Sequence, residues 1–263
     1  MSMGGGTFTV QNKILPGSYI NFVSTASAAT LGERGKAALP LELDWGPEGQ
    51  IYALEAGEFN QTALKVFGHD ATAAELLLIR EALKRCSTLL VYRVNAGGWG
   101  GTRGNSLRAA VQANADDEEK VDVVTYLEEQ EVDRQTVAAS GGAADLKAND
   151  FVSFGTAETL TAAAATALTG GTNGTVNGAA YAAWLTALEV EDFNAVGYPG
   201  TDESVKALVD AFVKRLRDED GRKVVGVLYQ HAGDDIGLIS VKNGVVLTDG
   251  TVLTGDKAVA WVT

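Results

Sequence analysis

Sulfur, imidazole and long apolar runs are all scarce in this chain of 263 residues. Cys86 is its only cysteine, so no internal disulfide can form, which fits synthesis in a reducing compartment. The two histidines, His69 and His231, lie far apart, and neither has a partner at metal-ligand spacing, so no metal site is expected. His69, just ahead of Asp70, reads as a loop or capping residue. No apolar run approaches the roughly 18 residues of a membrane-spanning helix, so no membrane insertion is expected. The opening residues, MSMGGGTFTV, lack the basic start and apolar centre of a signal peptide. Positive charge is in deficit: 21 Lys and Arg against 34 Asp and Glu give a net charge of −13. That balance argues against a broad nucleic-acid-binding face, which needs clustered cations. The one basic cluster, Lys214, Arg215 and Arg217, runs straight into Asp218, Glu219 and Asp220, and reads as a solvated helix face.

Catalytic signatures are missing too. The glycine-rich stretch LTGGTNGTVNG, Leu168 to Gly178, has no lysine until Lys206 and lacks the first glycine pair of a dinucleotide fingerprint. It reads as a joint or turn. DDEEK, Asp116 to Lys120, lacks the alternating carboxylates and central glycine of a calcium loop, and is a solvated turn. No G-x-S-x-G elbow occurs, and Cys86 reads as a small buried residue. No catalytic residue, cofactor-binding residue or metal ligand is therefore assigned, and no cofactor is expected.

Periodic apolar patterns are what the chain does contain. A chain this long buries about 70–75% of its unfolded surface, so its core needs no disulfide or metal. From Ala71, TAAE forms a capping box in which Thr72 accepts from the Glu75 amide, and Leu76, Ile79 and Leu83 recur at helical spacing. STLLVYRVN, Ser87 to Asn95, then reads as a strand buried on both faces. After the glycine-rich stretch, Tyr181, Trp184, Leu185 and Leu188 make one helix face, and FNAVGYP is a short strand. Val205, Leu208, Val209, Phe212 and Leu216 make a second helix, with Thr201 and Asp202 as cap candidates and Gly221 as its stop. KVVGVLYQ is another buried strand. Helices alternating with buried strands imply a helix-covered sheet with parallel strands.

Between these stretches the pattern changes. SLRAAVQAN, KVDVVTYLEEQ, EVDRQTVAA and NDFVSFGTAET read as antiparallel strands. The fold class is thus α/β: a helix-covered mixed sheet domain with an inserted antiparallel β-domain. Glycines at both ends, Gly97, Gly98 and Gly100, then Gly170, Gly171 and Gly174, are the expected domain joints. The domains are an N-terminal arm and first strand (1–25), the first part of the α/β domain (26–97), the inserted β-domain (98–171) and the second part of the α/β domain (172–263). Asn243-Gly244 and Asp249-Gly250 each predict a hairpin near the end. GDKAVAWVT then starts a new apolar pattern and stops, so the chain is expected to be truncated.

Several of these pieces, taken in order, carry a resemblance. LPGSYINFVS, LLLIREALKRCSTLLVYRVNAGG, GTRGN, VDVVTYLEEQEVDRQTV, LTGGTNGTVNGAAYAAWLTALEVEDFNAVGYPG and GLISVKNGVVLTDGTVLTGDKAVAWV together resemble the tail sheath protein of contractile phage tails. The likeness is to the sheath of phage-like defective particles of Gram-positive bacteria in particular. It implies a structural subunit and no enzyme. Such subunits stack as hexameric rings around a tail tube and, on a baseplate trigger, shorten to drive the tube through the target envelope. The implied partners are neighbouring sheath subunits, the tail tube protein, the baseplate and the tail terminator, with no nucleic acid. The implied location is a virion or phage-like tail, made in the host cytoplasm. Thr7, Phe8, Thr9 and Val10 suit either an inter-subunit arm that adds a strand to a neighbour, or a disordered start or edge strand of their own domain. Sheath proteins continue past AVAWV, so this chain is expected to be monomeric in solution, and any exposed apolar surface near Trp261 would come from the cut. The alternative is an α/β small-molecule-binding protein or enzyme with a site at the strand C-termini, near Asn95–Trp99 or Tyr198–Thr201. The two are told apart by whether Asp202 and Glu203 cap a surface helix or point into a cleft.

Overall fold

A computed structural model of the chain describes residues 35–95 and 101–263. The first half of the main sheet runs β1 (Lys36–Leu41), β2 (Ile51–Glu55), α1 (Phe59–Phe67), α2 (Leu77–Leu83) and β3 (Thr88–Arg93). A separate group follows: β4 (Leu107–Ala113), β5 (Lys120–Leu127), β6 (Gln130–Ala138) and β7 (Ala163–Ala167). The chain then returns through α3 (Gly178–Leu188), β8 (Ala195–Tyr198), α4 (Glu203–Asp218), β9 (Val225–Tyr229) and β10 (Leu238–Val241). It closes with β11 (Val245–Val246), β12 (Val252–Leu253) and α5 (Ala258–Val262).

The six-stranded sheet has the order β10-β9-β8-β1-β3-β2. Every neighbouring pair is parallel except β2, which runs antiparallel to β3 on the edge. The sheet is mixed and covered by helices on both faces. Successive strand side chains point to opposite faces, so a strand apolar throughout packs on both sides. On β3, Leu90 and Tyr92 meet α3 and α4, while Leu89 and Val91 meet α1 and α2. On β1, Ala38 goes to the first core and Ala37, Leu39 and Leu41 to the second. The capping of α4 follows the expectation: Asp202 Oδ1 accepts from the backbone N–H of Ser204 at 2.8 Å and of Val205 at 3.4 Å. Its core face is Val205, Val209, Phe212, Val213 and Leu216, whereas Leu208 is half exposed. The buried cation of that helix is Lys206, which pairs with Glu203 at 2.8 Å and lies over the Tyr229 ring.

The four strands between β3 and α3 form a sheet of their own, ordered β6-β5-β4-β7 and antiparallel throughout. Leu107, Val123 and Leu127 are buried on one of its faces, and Ala110 and Val124 on the other.

Several local expectations fail. Thr72 caps nothing: Ala74–Leu76 is a 3-10 turn without a side-chain cap, and α2 starts only at Leu77. The turn is held instead by Arg80, which donates to the carbonyls of Ala71 and Ala73 at 2.9 and 3.1 Å. NDFVSFGTAET is not a strand; the fourth strand is β7, from the Ala-Thr run. Asn243-Gly244 joins no hairpin, because β10 pairs in parallel with β9, while β11 and β12 pair around Asp249-Gly250. The last apolar stretch is a helix, α5, whose Val259 and Ala260 are fully buried. Trp261 is half-buried, with the Arg85 guanidinium 4.3 Å from its ring, so no exposed apolar patch is centred there. Arg215 and Arg217 are not simply solvated: Arg215 pairs with Glu189, and Arg217 donates to the Val224 carbonyl at 2.8 Å.

Candidate functional site at the neck between the sheets

A neck of two chain segments connects the sheets, one leading into β4 and one returning from β7. Its described residues, 101–106 and 168–177, are polar and glycine-rich, and no strand of either sheet extends through them. Gly101 has φ +86° and ψ −173°, a region open essentially only to glycine, which costs a side-chain-bearing residue about 1–3 kcal/mol. A Cβ on Gly101 would stand 2.1 Å from the Asp44 carbonyl oxygen, and one on Gly171 would stand 2.1 Å from the Gly101 carbonyl oxygen. Three backbones therefore touch here: the loop after β1, the outgoing segment and the returning one.

Side chains stitch the segments together. Asn105 Oδ1 accepts from the Gly171 N–H and its Nδ2 donates to the Gly171 carbonyl, both at 2.9 Å. The Thr102 N–H and hydroxyl both donate to Asn173 Oδ1, at 2.8 and 3.0 Å. Arg103 Nε donates to the Gly68 carbonyl at 2.8 Å, and its guanidinium pairs with Glu128 beside β5. The Asp44 carboxylate meets His69 Nε2 at 2.8 Å. Burial pushes the Asp44 carboxyl up, but the His69 hydrogen bond and the charges of His69 and Arg103 outweigh it and hold the group below its ordinary value. Arg93, at the end of β3, is fully buried with Glu48 at 3.1 Å and donates to the Gly46 carbonyl at 3.2 Å. Burial lowers its pKa, against the pull of Glu48 and Asp44. Beside the neck, Lys65 lies 3.5 Å from Asp150, and the Trp45 and Phe151 rings pack at 6.4 Å. They flank a cleft of about 530 Å³ that also touches Asn105, Leu107 and Leu168.

Of the expected joint residues, Gly170, Gly171 and Gly174 lie in the returning segment. Packing denies Gly171 a side chain, and Gly170 (φ +96°) and Gly174 (φ +68°) have positive φ. Gly97, Gly98 and Gly100, Trp99, and the arm residues Thr7, Phe8, Thr9 and Val10 lie outside the described residues. Asn105, Asn173 and Arg103 were not among the expected site residues; their partners are too distant in sequence for a local pattern to mark them. Replacing Asn105 with alanine leaves the Gly171 N–H and carbonyl unpaired. It should cost about 2 kcal/mol, read as a lower urea midpoint together with faster amide exchange at Gly171.

The strand C-termini, where the alternative places a site, spend their polar groups internally. Asn95 pins Leu43, accepting from its N–H at 2.8 Å and donating to its carbonyl at 2.7 Å. Tyr198 stacks edge-on against Tyr181 at 5.2 Å, and burial pushes both phenols above their ordinary range. Asp202 is an exposed helix cap, and Glu203 lies on the surface with its carboxylate on Lys206. Among the described residues no group of three or more His, Cys, Asp and Glu could hold a metal ion. The two histidines each meet a carboxylate instead, His69 with Asp44 and His231 with Asp210, both at 2.8 Å.

One surface feature stands out from the neck outwards. Thr159 to Leu188 contains no Asp, Glu, Lys, Arg or His. All of β7 is exposed, as are Ala179, Ala182, Ala183 and Thr186 on the outer side of α3. β7 and the outer side of α3 thus expose uncharged side chains on a strongly acidic molecule, with the Arg108–Glu129 pair lining the cleft beside β7.

Three family models match overlapping or adjoining parts of the chain. They are the tail sheath protein Gp18 domain III N-terminal region at residues 34–94, the phage tail sheath protein beta-sandwich domain at 70–173 and the phage tail sheath protein central domain at 174–263. The chain is 39% identical to the protein YqbK and 38% identical to the phage-like element PBSX protein XkdK, both of Bacillus subtilis. Each of those matches takes in 99% of this chain and 62% of the relative's length. Among solved structures it is similar to a sheath tail protein from Desulfitobacterium hafniense, with 45% identity and a TM-score of 0.81 over 94% of this chain and 61% of that one. The sheath tail protein Lin1278 from Listeria innocua is 37% identical, with a TM-score of 0.77 over 88% of this chain and 56% of its own.

Proposed function

The chain belongs to the phage tail sheath protein family, and on that premise we propose that it forms part of a contractile tail sheath subunit. Subunits polymerise around the tail tube and shorten to drive the tube through the target envelope. The observation that carries this reading is the succession of three sheath domains along residues 34–263. The subunit has no catalytic role. Its partners are other sheath subunits, the tube, the baseplate and the tail terminator, and it is made in the host cytoplasm before entering the tail. Shortening needs two packings of one sequence separated by a barrier. In both, the inserted sheet faces outward on its stitched neck, and the α/β sheet lies nearer the tube.

Charge favours self-assembly through one face. Copies that each carry a net charge of −13 repel, and like charges brought face to face cost several kcal/mol. The uncharged side chains of β7 and of the outer side of α3 lower that penalty where they lie, and their small size allows close approach. Ala183 is exposed on α3, so Ala183→Glu leaves the fold intact and places a charge on this face. In the whole gene product, sedimentation should then show the concentration needed for polymerisation rising about tenfold or more. A variant that polymerises as readily as the parent moves the contact elsewhere. A parent that never polymerises counts against the sheath reading itself.

A further inference from the structure

Three Asn-Gly steps occur among the described residues: Asn173-Gly174, Asn177-Gly178 and Asn243-Gly244. Such a step can convert itself without an enzyme. The backbone nitrogen of the glycine attacks the asparagine side-chain carbonyl carbon, a C–N bond forms, and the side-chain amide leaves as ammonia. Water then opens the resulting five-membered imide at either carbonyl, giving aspartate or isoaspartate. Glycine permits the closure because it has no side chain to crowd the attack. What decides between steps is whether the asparagine amide is free to swing onto the next nitrogen.

Two of the three amides are held. Asn173 Oδ1 accepts from both the Thr102 N–H and hydroxyl, at 2.8 and 3.0 Å, within the neck. Asn177 is the N-cap of α3, and its Oδ1 accepts from the Ala180 N–H at 3.1 Å. Ring closure at either site must first break those bonds. Asn243 is exposed, and no described residue hydrogen-bonds to its side chain. The attacking Gly244 N–H is likewise bonded to no described backbone group.

We infer that Asn243 is a self-modification site, the position at which the folded protein spontaneously becomes aspartate and isoaspartate. The conversion adds a negative charge and, in the isoaspartate form, an extra backbone atom between β10 and β11. That segment has little slack: a Cβ on Gly244 would stand 2.3 Å from the Leu253 carbonyl oxygen, so the neighbouring β12 lies directly against it. The expected consequence is a displaced β11–β12 hairpin, whose Val246 and Val252 are paired and largely exposed.

The test is incubation of the folded chain at mildly alkaline pH, with the acid form at each asparagine followed over time by fragment-localised mass spectrometry. Asn243 should convert at least about fivefold faster than Asn173 or Asn177, the factor expected for breaking one cap-strength hydrogen bond. In concentrated urea the three steps should converge to similar rates, which separates the effect of the fold from that of local sequence. Asn243→Gln should abolish the fast phase while leaving the slow ones unchanged. Equal rates in the folded protein, or Asn173 or Asn177 converting first, would overturn the assignment.

Discussion

Gly101→Ala is expected to lower the stability of the chain by about 3 kcal/mol or more, from a single added methyl group. Two penalties combine. The backbone at φ +86° and ψ −173° lies in a region open essentially only to glycine and costs about 1–3 kcal/mol for any residue with a Cβ. The new atom would also lie 2.1 Å from the Asp44 carbonyl oxygen and 2.6 Å from an Arg93 guanidinium nitrogen. Neither neighbour retreats easily, since Asp44 offers its backbone and Arg93 is fully buried; forced movement of that kind costs typically about 1–3 kcal/mol. Gly49 supplies the control: its φ is +65°, but nothing lies within 4 Å of a Cβ built there. Gly49→Ala should therefore show only the backbone penalty. Urea midpoints for the two variants separate the contributions, and equal losses would mean that the neck is not closely packed.

Trp184→Ala should cost about 3–5 kcal/mol, the range for removing a large aromatic from a core. Trp184 is fully buried in the layer where α3 and α4 meet the sheet, among Tyr181, Leu188 and Phe193. Among the described residues its indole N–H has no hydrogen-bond partner. Removing that N–H is thus no loss, so Trp184→Phe should be much milder than the alanine change and should keep a cooperative transition. Calorimetry on the pair checks both expectations. A phenylalanine variant as unstable as the alanine one would show that the indole nitrogen is bonded in solution.

Sequence periodicity revealed those elements whose burial is regular. STLLVYRVN reads correctly because both faces of β3 are covered, and α4 because its apolar stripe and its Asp202 cap agree. KAALPL stayed hidden although it is the central strand β1: a proline argues against such a position. The fold accommodates Pro40 because the β1–β8 ladder ends at the Ala38–Val196 pair. β7 escaped notice for another reason, since AAATA is exposed on every residue and carries no pattern of burial. Asn243-Gly244 gave a strong local hairpin cue, yet the longer-range pairing of β10 with β9 won. The neck was legible as glycine composition and no further. Its stitches join residues 66 and 71 positions apart, and nothing local in GTRGN or GGTNG marks Asn105 and Asn173 as partners. The uncharged run from Thr159 to Leu188 was in plain view, but it acquires meaning only once β7 and α3 are seen to expose it.

A chain that is part of a sheath subunit should assemble around a tail tube. The most direct measurement is negative-stain electron microscopy of the whole gene product, expressed together with the neighbouring tube gene. Striated hollow tubes of regular width, in a long and a short form, are the predicted result. Discrete particles of one size, with no tubes at any salt or protein concentration, would contradict it.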